Sequence, residues 1–459
     1  MSDDLNTGKP QIRTLRPLVT RLLIVFAIIV AAGFSFWAAY AVVQSTRDQG
    51  LRLQIEERKQ DIVAAELSGM IPFQWPRGRY EGPDTLEWIH VDNHRYVFDG
   101  VLLNTVHRRG DTLFFASHGR SGRILIAKGH VLRYRGEVYQ HVIPARPKPV
   151  PTQRAAILGA YHHGDETLFV LDRGAKLWAL LAGNFYYPLA EVGSDDFRSP
   201  DVGNHPGQTF SFTRDAGEHG TQVSFRGITY TRNILSIEAD RAFRITPVRP
   251  IDEIRNEARR ATPPPQPEGL LSPDLVDLGR HDAVLHFDIR YATDNNFMGI
   301  PLYEQPGAYL QRPAARALLR AAESLRTRGL GLIIYDAYRP WAVTKMFWDA
   351  TPNNLKAFVA DPKHGSRHNR GCAVDLGLYD LKTGEPVEMP SGYDEFTPRA
   401  LADYPGGSER ARWFRDRLRD AMEAQGFAVY DHEWWHFDYF DWSRYPVLNI
   451  PFEDLEPDG

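Results

Sequence analysis

Hydrophobic and polar residues alternate in four distinct patterns along the chain, and each predicts a different kind of element. From Leu22 to Val43 every residue except Ser35 is apolar, a run of 22 residues. At about 1.5 Å rise per residue, such a helix crosses a hydrocarbon layer of roughly 30 Å. Trp37 and Tyr40 near its far end suit an interfacial position. The run is longer than the roughly 7–15 apolar residues of a cleavable signal peptide, although Ala39-Tyr40-Ala41 fits a small-x-small cleavage site. The expectation is a single transmembrane anchor over 22–43, preceded by a short tail (1–21) and followed by a charged helical stalk (44–71). Lys9, Arg13, Arg16 and Arg21 before the span are matched by Arg47, Arg52, Arg58 and Lys59 after it. Positive charge therefore leaves the orientation open. The short tail favours a cytoplasmic N-terminus with everything beyond the anchor periplasmic or otherwise outside the cytoplasm.

From 72 to 250 the period shortens to that of strands. Runs such as Tyr96-Val97-Phe98, Leu113-Phe114-Phe115, Ile124-Leu125-Ile126, Leu168-Phe169-Val170 and Val223-Ser224-Phe225 are separated by Gly, Asp and Asn. This predicts an all-β domain. Gly110-Asp111-Thr112-Leu113-Phe114 is echoed by Gly164-Asp165-Glu166-Thr167-Leu168-Phe169, which points to a propeller-like or duplicated architecture. His107, His118, His162 and His163 have no metal-ligand spacing and read as strand or surface histidines. The domain could bind a cell-wall ligand or act as a spacer, and its sequence does not choose.

Residues 251–272 combine a short helical stretch, Ile251–Ala261, with the segment Thr262-Pro263-Pro264-Pro265-Gln266-Pro267. Proline at that density favours extended backbone and marks a linker. The remaining domain, 273–459, mixes periods. Leu318, Ala322 and Leu325 follow Pro313 at helical spacing, and Gly329 can end that helix. Leu332-Ile333-Ile334-Tyr335 is a buried strand. A second helix is expected over about 408–425, with Phe414, Leu418 and Met422 on one face, and Phe427-Ala428-Val429-Tyr430 is a strand after it. The prediction is an α+β domain.

Charge and composition narrow the partners. The net charge is −4 with no basic block, so nucleic acid has no electrostatic support. Cys372 is the only cysteine, which removes a disulfide framework and any cysteine-based metal cluster.

Two segments carry candidate chemistry. In Ser366-Arg367-His368-Asn369-Arg370-Gly371-Cys372-Ala373-Val374-Asp375, the His and Asp would stand about 23 Å apart on a straight strand, so the chain must fold back to bring both to one ion. Gly371 supplies the freedom for that reversal. In Glu433-Trp434-Trp435-His436, residues three apart face opposite ways on an ideal strand, so a bend is needed to align Glu433 with His436. Each segment alone is a weak signal, and such a spacing by itself is more often structural than metal-binding. Together they offer two His and one Asp, the nitrogen–oxygen donor set of a catalytic zinc ion with an open position, and a nearby carboxylate that could take a proton from the attacking water.

With these segments in view, most of residues 274–451 resembles the VanX-type D-alanyl-D-alanine dipeptidases, zinc metallopeptidases. The resemblance runs through Arg290-Tyr291-Ala292-Thr293 with Asn296-Phe297, Tyr335-Asp336-Ala337-Tyr338-Arg339-Pro340, Ser366–Asp375, Met389–Asp394 and Glu433–His436. It implies one Zn2+ held by His368, Asp375 and His436, with Glu433 as catalytic base and proton shuttle. It implies that Arg339 stabilises the oxyanion, and that Tyr291, Ser366 and Asp394 contact a small D-dipeptide, Asp394 pairing with its ammonium. Pro390 stands where the family commonly has glycine, which puts the loop before Asp394 in question. The implied function is hydrolysis of D-Ala-D-Ala or a similar dipeptide in peptidoglycan metabolism. The alternatives are a D,D-carboxypeptidase acting on stem peptides, or a wall-binding sensor that works through the β-rich domain.

Overall fold

The computed structural model describes residues 77–455 apart from short stretches, the longest of them 233–242. The expected anchor Leu22–Val43, with its tail and stalk, lies outside the described residues. Among those described, no helix is long and apolar enough to cross a membrane.

The β-rich region is two successive meanders. Nine antiparallel strands occupy Gly78–Val142, and the first of them, Gly78–Glu81, pairs with both Thr85–Asp92 and the last, Glu137–Val142. The sheet curls around Tyr80, Leu86, Trp88, Phe98, Leu113 and Leu132. Eight further strands between Gly159 and Arg232 form a closed barrel, sealed where Gly159–His163 meets Ile228–Arg232. Aromatic residues fill its interior, with Phe210 stacked on Phe225 at 4.3 Å between ring centroids.

The all-β expectation therefore holds, but a propeller does not form. A propeller needs separate four-stranded blades around an axis, and here each meander pairs its own first and last strands. The sequence echo is hairpin chemistry. Gly-Asp separates the paired residues Arg109 and Thr112 in one sheet and His163 and Glu166 in the other. Gly164 takes the left-handed φ of +56° that this two-residue turn requires. His162 sits 3.0 Å from the Thr167 hydroxyl and His163 3.2 Å from the Thr229 carbonyl, as ordinary strand residues.

Helix α1 (Ile251–Arg260) presents Ile254 and Ala258, one turn apart and both fully buried in the core of the C-terminal domain. It was expected to belong with the linker. Its two-residue apolar stripe instead packs it into that domain. The proline-rich segment that follows has no regular element, and Gln266 accepts a hydrogen bond from the Val447 amide at 3.0 Å.

The C-terminal domain is α+β. Short strands β1 (Leu275–Asp277) and β3 (Tyr309–Gln311) pair with each other. The main sheet has the order β2 (Leu285–Phe287), β4 (Leu330–Asp336), β5 (Ala373–Asp380), β7 (Glu433–Tyr439), β6 (Phe427–Tyr430). Only β2 and β4 run parallel. All seven residues of β4 are buried, as its unbroken apolar run predicts for a central strand.

Helix α2 (Arg312–Arg326) opens with a proline in its first turn and buries Ala314, Leu318, Ala321 and Leu325. Helix α3 (Trp341–Ala350) follows Pro340. Helix α4 (Glu409–Glu423) is capped by Ser408, whose hydroxyl accepts from the Ala411 amide at 2.9 Å. Leu318, Leu325, Phe414, Leu418 and Met422 are at most 1% exposed, and each such burial contributes about 1.5–3 kcal/mol.

Candidate active site

Three adjacent strands put acidic and imidazole groups in one row. Asp336 at the end of β4 is opposite Asp375 on β5, and Asp375 is opposite His436 on β7. The register slips between Ile334 and Asp336, and again between Val429 and Tyr430. The second slip leaves Trp434–His436 in a bulge, which is the bend the Glu433–His436 spacing requires. Glu433 Oε2 reaches 3.7 Å from His436 Nδ1. Trp434 and Trp435, both buried, fix this bulge: Trp434 donates to the Ser391 hydroxyl at 2.8 Å, and Trp435 packs edge-on to Tyr393.

His368 arrives on a 3-10 turn, His368–Arg370, closed by Gly371 at φ +65° before β5 begins. A Cβ at Gly371 would lie 2.4 Å from Leu275 Cδ2, so any other residue would have to displace that side-chain end as well as adopt a left-handed φ.

His368 Nε2, Asp375 Oδ1 and His436 Nδ1 form a triangle with edges of 3.1, 3.1 and 3.3 Å. Ligands about 2.0–2.1 Å from a tetrahedral ion stand about 3.3–3.4 Å apart, so the triangle fits a zinc-sized cation. Asp375 Oδ1 is buried and accepts no hydrogen bond, which leaves a full lone-pair site for an ion. Each imidazole is oriented from behind. His368 Nδ1 is 2.6 Å from the Ala337 carbonyl and His436 Nε2 is 2.9 Å from Asp438 Oδ1. With protons on those two nitrogens, the opposite nitrogens carry free lone pairs toward the centre.

Electrostatics favour a cation here. Burial opposes charge on His436, but Asp438 and Asp375 raise its pKa to about 10. Burial likewise opposes ionisation of Asp375, yet His368 and His436 hold it well below the usual carboxylate range. Burial pushes Glu433 up to about 7, with His436 opposing and Asp375 reinforcing the rise. A carboxyl near 7 can both accept and return a proton at neutral pH.

Arg339 is buried beside the triad. Its Nε and Nη2 donate to Asp336 Oδ2 at 2.8 and 2.7 Å, and Nη2 lies 3.6 Å from Asp375 Oδ2. Its guanidinium also faces the rings of Tyr291 and Phe347 at 5.1 and 4.7 Å. Tyr291 donates to Asp394 Oδ2 at 2.9 Å. Burial, aided by the negative charge of Asp375, raises the Asp394 carboxyl well above its ordinary value, against the Tyr291 hydrogen bond. Asp394 has φ +56°, a conformation that an Asp adopts at some cost. Pro390 does not turn its loop away from the site. The Pro390 carbonyl accepts two hydrogen bonds from Arg399, at 3.1 and 3.0 Å.

All eight residues singled out in the sequence, Tyr291, Arg339, Ser366, His368, Asp375, Asp394, Glu433 and His436, line one cavity of about 240 Å³. Three contributors went unnoticed there. Asp438 lies two residues beyond His436 on the same strand, a spacing that places it on the same face and could have revealed it. Asp336 sits within the Tyr-Asp-Ala-Tyr-Arg-Pro segment. Tyr393, which donates to Asp375 Oδ2 at 2.9 Å and stands 3.1 Å from the Tyr291 hydroxyl, had no signal beyond adjacency to Asp394.

Residues 272–454 match the peptidase M15 family described as D-ala-D-ala dipeptidase. The D-alanyl-D-alanine dipeptidase of Escherichia coli (strain K12) is 36% identical, over 39% of this chain and 91% of that protein. The chain belongs to the D-Ala-D-Ala dipeptidase family. The D-alanyl-D-alanine dipeptidases of Enterococcus faecium and Enterococcus faecalis (strain ATCC 700802 / V583) are 38% and 35% identical, over 88% and 95% of their lengths. Members of this family are zinc enzymes, and His368, Asp375 and His436 form the group that could hold the ion. The chain is thus a metallopeptidase, and the two β meanders lie outside the family match.

Proposed function

We propose that this chain is a zinc-dependent dipeptidase that hydrolyses D-Ala-D-Ala or a similar D-configured dipeptide within peptidoglycan metabolism. The observation that carries the reading is the shared cavity. A zinc ligand triad, a carboxyl poised near neutrality, a buried guanidinium and a second buried carboxyl surround only about 240 Å³. That is below the usual range for small-molecule pockets, about 300–1,000 Å³, and suits a dipeptide better than a stem peptide.

Zinc held by His368, Asp375 and His436 would supply Lewis acidity toward the scissile carbonyl and the attacking water. Glu433 takes the proton from that water at its carboxylate and returns it to the leaving amine. Arg339, fixed by Asp336, holds permanent positive charge beside the developing oxyanion. Asp394 pairs with the free ammonium of the substrate, with Tyr291 holding its Oδ2 and Ser366 lining the approach. A carboxylate as buried as Asp394 (5% exposed) suits a free ammonium better than a continuing peptide.

The apolar run Leu22–Val43 supports a single-pass anchor that keeps the catalytic domain outside the cytoplasm, near its wall-derived substrate. Protease accessibility in cells stripped of any outer membrane and wall but with an intact cytoplasmic membrane would test that placement, and cleavage seen only after that membrane is lysed would reject it. Hydrolysis of D-Ala-D-Ala with and without a chelator, alongside a stem peptide, tests the activity. Glu433→Ala should abolish turnover while zinc stays bound. Retained turnover would remove Glu433 from its role, and preference for the stem peptide would favour a D,D-carboxypeptidase.

A further inference from the structure

The two oxygens of Asp375 have opposite surroundings. Oδ1 stands in the triangle with His368 Nε2 and His436 Nδ1 and accepts no hydrogen bond. Oδ2 is held from another side. Among the described residues it accepts one hydrogen bond, from the Tyr393 hydroxyl at 2.9 Å. Arg339 Nη2 is 3.6 Å away, too far for a hydrogen bond, and already donates to Asp336 Oδ2.

Tyr393 is itself fixed. It is 5% exposed, and its ring packs against Tyr335 at 4.7 Å and edge-on to Trp435 at 5.5 Å between centroids. Tyr335 belongs to β4 and Trp435 to β7, the two strands that flank Asp375 on β5. The ring is therefore gripped by both neighbours of the strand whose carboxylate it holds. Tyr393 is not among the residues that line the active-site cavity, so it reaches the reaction only through Asp375. A phenol has a single proton to donate. The Tyr393 proton goes to Asp375, whereas Tyr291, whose hydroxyl is 3.1 Å away, donates to Asp394 at 2.9 Å. Two adjacent phenols thus serve different carboxylates, one facing the metal site and one facing the substrate.

A carboxylate can meet a cation with one oxygen or with both, and a catalytic zinc site needs a position left open. We propose that Tyr393 is a positioning residue that holds Oδ2 away from the ion, so that Asp375 offers Oδ1 alone and the open position is kept for the reaction. Without the hydroxyl, Oδ2 is free to turn toward that position. The inference rests on the metallopeptidase reading of the triad, and one arm of its test needs no substrate.

The full-length chain is stripped of metal and reloaded with Co2+, whose visible absorption weakens as its coordination number rises above four. Tyr393→Phe keeps the ring and its packing and removes only the hydroxyl. The variant should fold without metal and still take up one ion per chain. Its cobalt bands should be about twofold weaker than the parent's or less intense still, and its kcat on D-Ala-D-Ala about 10–100-fold lower with KM within about threefold. Tyr291→Phe should do the reverse, raising KM about tenfold through Asp394 while the cobalt spectrum stays as in the parent. Superimposable spectra of parent and Tyr393→Phe would overturn the proposal. So would a Tyr291→Phe spectrum altered as much, a Tyr393→Phe effect confined to KM, or a Tyr393→Phe chain that no longer folds. A parent that binds cobalt but leaves D-Ala-D-Ala uncleaved would remove the dipeptidase reading, and the cobalt comparison would still decide the role of Tyr393.

Discussion

Replacing Asp438 by alanine tests how the metal site is held together, because Asp438 touches no substrate and is not itself a ligand. Its Oδ1 accepts the Nε2 proton of His436 at 2.9 Å, and that proton position is what frees Nδ1 to face the ion. The second oxygen lies 3.3 Å from Arg367 Nε. A hydrogen bond to a charged group contributes about 1.5–3 kcal/mol. Loss of an outer partner of a metal-bound imidazole commonly lowers affinity about 10–100-fold, or about 1.4–2.7 kcal/mol at 1.36 kcal/mol per decade. The two routes agree. Asp438→Ala should therefore bind zinc about 10–100-fold more weakly, while Asp438→Asn, which keeps an acceptor but not the charge, should lose less than tenfold. Competition against a chromophoric chelator at pH 7 measures both, with thermal unfolding as the check on folding. A folded alanine variant with zinc affinity within twofold of the parent would refute the claim that Asp438 orients His436.

Further outcomes follow from the same geometry. Stripping zinc should lower unfolding free energy by about 4 kcal/mol when the free ion had been at a thousand times its Kd; an unchanged urea midpoint would mean the triad binds no metal. Gly371→Ala forces a Cβ to 2.4 Å from Leu275 Cδ2 at φ +65°, and should cost about 1–3 kcal/mol together with some metal affinity, because it carries the His368 turn; calorimetry and chelator competition read the two effects. Arg77→Gln breaks a mostly buried pairing with Asp420 and should cost about 1–3 kcal/mol at pH 7. Burial works against it, but Arg77 and Arg417 hold the Asp420 carboxyl below its ordinary value. That contribution is complete above the unfolded value of about pH 4 and is lost as pH falls through the depressed folded value. Urea curves of parent and variant should converge in acid, and a gap that is constant from pH 7 to pH 2 would contradict the pairing.

The catalytic domain was largely legible because its elements obey local rules. Leu318 and Leu325 mark one helix, Phe414 and Leu418 another, and Leu332–Tyr335 a central strand, each where a simple period predicts it. The clustering of His368, Asp375 and His436 was legible because glycine at 371 and the odd spacing of Glu433 and His436 both demand a bend, and ordered motifs supplied the rest. Helix α1 escaped because only Ile254 and Ala258 carry its buried face, too little to outweigh the prolines that follow. The β meanders escaped more thoroughly. Alternation reveals strands, but closure depends on which distant strands pair. Nothing local says that Gly78–Glu81 meets Glu137–Val142, or that Gly159–His163 meets Ile228–Arg232. The repeated Gly-Asp turn encodes a hairpin, which is compatible with barrel, sandwich and propeller alike.

The placement of the candidate residues divides the site into a rigid part and an adjustable part. Asp375 and His436 are locked by backbone pairing across β5 and β7, with Asp336 continuing the row on β4. A one-residue slip would turn these side chains to the opposite face, so two of the three metal-facing residues are specified by the same hydrogen bonds that hold the sheet, and His368 is added by its 3-10 turn. Tyr291, Ser366 and Asp394 instead sit on turns and loops outside the strand ladder. Asp394 is held by Tyr291, and its loop is braced by Arg399 at the Pro390 carbonyl and by Trp434 at Ser391. The Tyr291 and Arg399 braces lie off the ladder and can change without disturbing it. Changes in dipeptide preference should therefore arise from Met389–Asp394 and its supports, at little cost to metal affinity, whereas changes along the Asp336–Asp375–His436 row should remove the metal and the activity together.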